Sequence, residues 1–145
     1  MLLLSLALAS GGTVYADDSC AGAPKYHVAP NGAHAASANN PWTLYLQISV
    51  APEAISKDSL TLLACKLRRD FAKEQRLHVW IFTDRQAAKR FDFNHNSPNY
   101  LEDLPKLRGA YYIDREKGIQ WIKFSSDPQK PEDMQKTELP LPVSN

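Results

Sequence analysis

Ser56–Arg90 reads SKDSLTLLACKLRRDFAKEQRLHVWIFTDRQAAKR, and its internal pattern decides the fold class. Leu60, Leu63, Ala64, Leu67 and Phe71 recur at helical spacing and form one apolar stripe, while Lys66, Arg69, Asp70 and Lys73 take the other side. Ser56 or Asp58 suits the start of that helix, because a short side-chain oxygen can accept from its free N–H groups. The period then changes. Leu77, Val79 and Ile81 alternate with His78, Trp80 and Phe82, so both faces of this strand are apolar and it should lie centrally in a sheet. Thr83 with Gln86 three residues on resembles a capping box opening a short helix that runs to about Phe91.

Upstream, Trp42–Val50 sets Trp42, Leu44, Leu46, Ile48 and Val50 against Thr43, Tyr45, Gln47 and Ser49. That alternation predicts a strand with one buried face, closed at each end by Pro41 and Pro52. Strand, helix and strand in this order fit a crossover between parallel strands. Downstream, Ala110–Asp114 and Ile119–Phe124 read as a hairpin whose turn ends on Gly118, where a left-handed backbone is needed. The expected fold is therefore α+β: a two-layer sandwich of order βαβαββ, with one long helix packed on a four-stranded mixed sheet.

The chain of 145 residues has room for one such domain, placed at 41–126. Leu2–Ala9 form an apolar run and Val14-Tyr15-Ala16 supplies the small residues of a cleavage site, so residues 1–16 read as a signal peptide, although no Lys or Arg precedes the run. Residues 17–40 read as a flexible leader and 127–145, with four prolines, as a disordered tail. The expected location is outside the cytoplasm, periplasmic or secreted. No later stretch approaches the ~20 apolar residues of a membrane span. In an oxidising compartment Cys20 and Cys65 can form a disulfide that pins the leader to the long helix; the bland alternative leaves Cys65 as a small apolar residue beside the stripe.

Composition excludes some functions. A net charge of +1 gives no field for nucleic acid, and the basic helix face carries no aromatic residues for stacking on bases. No GxSxG elbow, HExxH pair, P-loop, CxxC or dinucleotide fingerprint occurs, and His27 and His34 lack a further ligand pair for a metal. Neither metal nor other cofactor is expected. Two features remain. Tyr45, Trp80, Trp121 and either Tyr111 or Tyr112 lie on strands, with Tyr111 preferred, and on a shared face they would make an apolar platform beside His78. The long connection FDFNHNSPNYLEDLPK brings His95 and Tyr100. The candidate ligand-binding set is Tyr45, His78, Trp80, His95, Tyr100, Tyr111 and Trp121.

These features suggest an exported, non-catalytic binding or interaction module whose partner is a protein, a peptide or a small molecule. Two alternatives stand beside it. One is a small hydrolase-like enzyme pairing His78 or His95 with Asp84, Glu102 or Asp103. The other is a structural envelope protein. Glu102 and Asp103 are adjacent, which sends their side chains in different directions.

Overall fold

A computed structural model describes residues 20–35 and 42–142. The N-terminal apolar run lies outside the described residues. The structure is an α+β fold built on a six-stranded mixed sheet: β1 (His27–Ala35), β2 (Thr43–Ser49), β3 (Arg76–Phe82), β4 (Leu107–Asp114), β5 (Ile119–Phe124) and β6 (Gln135–Glu138). The helices are α1 (Lys57–Asp70), α2 (Arg85–Arg90) and α3 (Tyr100–Asp103). The strands lie in the sheet in chain order. β2 and β3 are parallel and joined through α1, and every other neighbouring pair is antiparallel.

α1 forms as its sequence dictates. Ser56 Oγ accepts from the Ser59 N–H at 3.2 Å, and Leu60, Leu63, Ala64 and Leu67 are buried. They meet Leu46, Ile48, Leu77, Val79, Ile81, Ile113 and Ile122 from the sheet in one continuous core. The far end of the helix is closed by Arg115 from the β4–β5 turn. Its Nε donates to the Glu74 carbonyl and its Nη2 to the Arg68 carbonyl, both at 2.9 Å, which satisfies acceptors that the helix itself leaves open. Gly118 completes that turn at φ +66°.

The expected four-stranded, two-layer βαβαββ order needs three corrections. First, the segment read as leader contributes the edge strand β1, which pairs with β2 through an irregular register between Val28 and Ala33. It is tied down by the Cys20–Cys65 disulfide and by the Tyr26 hydroxyl, which donates to Asp70 at 2.7 Å. Second, the segment read as a disordered tail supplies the opposite edge strand, β6. Beyond it Leu139 and Leu141 pack on the main core, and Gln120 Nε2 donates to the Pro140 carbonyl at 2.8 Å. Third, the helices are not on one face. α2 packs on the sheet face opposite α1, where Phe82, Ala87, Ala88, Phe91 and Leu107 form a second, smaller core. The buried Thr43, Gln47 and Ser49 belong to that face of β2, and Gln47 Nε2 donates to the Phe91 carbonyl.

Smaller details differ as well. Asp84, not Thr83, caps α2, accepting from the Ala87 N–H at 2.8 Å. Trp42 stands before β2 and is 70% exposed rather than part of the buried face.

Candidate functional site

The half of the second sheet face left open by α2 carries the aromatic side chains. Register aligns Tyr45 with His78, His78 with Tyr112, and Tyr112 with Trp121, one residue from each of four successive strands. The next row is Gln47, Trp80, Ala110 and Lys123. Side chains two apart on a strand share a face, so the rows stack into a ladder.

His78 is its centre. Its ring stacks on Trp80 with centroids 4.5 Å apart and lies within 6 Å of Tyr45, Tyr112 and Trp121. Trp121 is stacked on Tyr112 at 5.4 Å and carries the Lys123 ammonium at 4.9 Å over its ring. Burial, reinforced by the positive charge of Lys123, pushes the His78 imidazole down to about 4. The ring is therefore neutral at physiological pH. Among the described residues its buried Nε2 has no hydrogen-bond partner.

A groove of about 550 Å³ lies over this ladder. Its floor is His78, Trp80, Ala110, Trp121 and Lys123. One wall comes from the connection after α2, through Phe91, Phe93, Tyr100 and Leu104; the other comes from Pro131, Glu132 and Met134 before β6. The first wall is held in place by its own polar residues. The Asp92 carboxylate accepts from the Asn94 N–H and the Ser97 hydroxyl, both at 2.9 Å, contacts that keep it below the usual carboxylate range. Phe93 packs on Trp80 at 4.8 Å and edge-on to Phe91 at 5.0 Å. At 46% exposed, Phe93 presents an aromatic ring at the rim.

Of the residues expected from sequence, Tyr45, His78, Trp80 and Trp121 meet on the ladder, and Tyr100 lines the groove. His95 stacks on Tyr100 at 4.5 Å without lining the groove. Tyr111 is on the other face. It pairs with Val79, is fully buried under α1, and donates its hydroxyl to Gln120 Oε1 at 2.9 Å. Tyr112 holds the place on the ladder that Tyr111 was expected to take. Phe91, Phe93, Lys123 and Met134 line the groove in addition to the residues expected from sequence. The two phenylalanines had a legible signal, the FDF triplet at the start of the long connection, whereas Met134 lies in a segment without period.

The carboxylates considered for a histidine pair are engaged elsewhere. Asp84 caps α2, while Glu102 and Asp103 both bind Arg90, at 3.2 and 2.7 Å. The adjacent acids thus converge on one guanidinium instead of diverging. Among the described residues no three His, Cys, Asp or Glu side chains gather where they could hold a metal ion, and no helix is long and apolar enough to cross a membrane. No protein-family model, curated protein or solved structure matches the chain.

Proposed function

We propose that this protein is an exported, non-catalytic binding module that holds an aromatic small molecule, or the aromatic side chain of a peptide, in the groove over β3–β5. The observation that carries the reading is the ladder itself: a groove of about 550 Å³ floored by His78, Trp80 and Trp121 and rimmed by Phe93. Planar faces at this spacing suit offset or edge-on contact with another ring. A sugar would ask for more convergent hydrogen-bonding groups than His78, Lys123 and Glu132 provide. Export is supported by the disulfide and by the apolar run at the start of the chain.

Titration of the full chain with indole and 2-naphthol, followed by tryptophan fluorescence and by the indole N–H signals of Trp80 and Trp121, tests the reading. Saturable binding that is lost in Trp121→Ala, and in Ala110→Phe with its ring filling the floor, is expected. Binding of neither probe, or binding unaltered by both substitutions, would overturn it.

A further inference from the structure

The two parallel strands hand the chain to opposite faces of the sheet. After Ser49, β2 leads to α1 on one face; after Phe82, β3 leads to α2 on the other. Where neighbouring parallel strands diverge in this way a crevice opens beyond their carboxyl ends, and open α/β sheets hold ligands in such crevices. Here the crevice is a pocket of about 320 Å³. Ser49 and Pro52 line it from the end of β2, Thr83 and Arg85 from the end of β3, and Lys25 and His27 from the segment entering β1. It shares no lining residue with the aromatic groove.

Two cations, Lys25 and Arg85, and the His27 imidazole line the pocket. Lys25 and His27 flank Tyr26, whose side chain packs against the main core and donates to Asp70, so the anchor between them is fixed. Arg85 Nη2 donates to His27 Nε2 across the pocket. Among the described residues no acidic side chain lines the pocket, and neither Lys25 nor Arg85 forms an ion pair with a carboxylate. A concave wall bearing one sign of charge focuses the field on its interior and attracts the opposite sign. Arg offers a planar fork matched to two oxygens of one anion, and Lys adds a mobile point charge.

We propose that this crevice is an oxyanion site that takes a phosphate group, with Arg85 as the forked donor, Lys25 as the second cation and His27 orienting the guanidinium by accepting from its Nη2. The pocket is roomier than a bare phosphate, so a phosphate monoester fits it with its carrier group toward Ser49 and Pro52. The free ion and the monoester share the same recognition chemistry.

The test is titration of the full, oxidised chain with inorganic phosphate, glycerol 3-phosphate and acetate at about 0.15 M salt, where exposed charges beyond the Debye length are screened. Amide shifts at Ser49–Ala51 and Thr83–Arg85 report the site. Saturable shifts with phosphate, weakened about ten-fold or more in the Lys25→Gln, Arg85→Gln double variant, are expected. Tighter binding of glycerol 3-phosphate would assign the site to a monoester, and equal binding to the free ion. An unchanged thermal midpoint and unchanged indole titration in the double variant keep loss of folding apart from loss of the site. Phosphate shifts no larger than those of acetate, or an affinity indifferent to the double substitution, would overturn the proposal and leave the groove reading intact.

Discussion

The guanidinium of Arg90 holds both carboxylate oxygens of Asp103, Nε to Oδ2 at 2.7 Å and Nη2 to Oδ1 at 2.9 Å, and Asp103 has no exposed surface. A fork of this kind fixes direction as well as distance. It joins the end of α2 to α3 and so closes the connection that walls the groove.

Removing the two partners should not be equivalent. Arg90→Ala strands a buried carboxylate with only Lys106 at 3.8 Å, whereas Asp103→Ala releases a guanidinium that water can reach. Arg90→Ala should therefore lower the thermal midpoint more than Asp103→Ala, and the double variant should recover part of the loss. Both single variants should weaken indole binding. Equal midpoints for the two single variants would contradict this account.

His78 should make the fold acid-sensitive. Its imidazole is pushed from an ordinary 6.5 to about 4, so the unfolded chain takes up the proton first as pH falls. This contribution to stability is complete above about 6.5, is lost progressively toward pH 4, and changes no further below that. Its full size is on the order of 3 kcal/mol. Urea unfolding at several pH values should show the difference between the native chain and His78→Phe changing across this window. A pH-independent difference would show that His78 is not held neutral by its surroundings.

The two positions Gly109 and Gly118 should respond to alanine for different reasons. A Cβ at Gly109 would stand 3.0 Å from the Lys123 carbonyl oxygen and 3.6 Å from Ile81, so β4 and β5 must separate locally to admit it. At Gly118 nothing lies within 4 Å, but the backbone is left-handed at φ +66°. Gly109→Ala should cost about 1–3 kcal/mol through overpacking, and Gly118→Ala about 1–2 kcal/mol through backbone strain. Gly118→Asn, which tolerates that conformation, should recover much of the second loss and gives the control by chemical denaturation.

Reduction should loosen both the fold and the basic crevice. The disulfide spans 45 residues, for which chain-entropy arguments give about 4 kcal/mol. Cys20→Ala combined with Cys65→Ala should lower stability by about that amount, read by urea unfolding with and without reductant. Phosphate shifts at Thr83–Arg85 should weaken in parallel, because Lys25 and His27 depend on the anchored segment. Stability indifferent to reductant would contradict the structural role assigned to the bridge.

The elements that repeat at a helical or two-residue period were legible: the Ser56 cap, the stripe of α1, the two-sided β3 and the hairpin turn at Gly118. β1 and β6 were not. The HVAPNGAHA sequence of β1 lacks alternation and pairs through an irregular register, and the QKTE sequence of β6 is polar throughout, with three of its four residues exposed, so no buried face marks it as a strand. The covering of the second face was present in the sequence as the apolar Trp80 and Phe82, yet which helix supplied it depended on tertiary packing. Tyr111 and Tyr112 differ by one residue, and one residue decides the face. Only the pairing of Tyr112 with His78 and Trp121 places it on the ladder, and that register is set by bonds between distant strands.

Every strand of this sheet is hydrogen-bonded to the strand that follows it in the chain, from β1 through β6. No strand must be slotted between two that have already paired. The sheet can therefore grow in a single direction as the chain emerges amino end first, each new strand finding one completed edge to join. Two steps must bridge longer segments before their contacts compensate the lost entropy, the α1 crossover between Ser49 and Arg76 and the connection from Phe82 to Leu107 through α2 and α3. β6 and the segment behind it arrive last, so the second wall of the groove is set in place only after its floor exists.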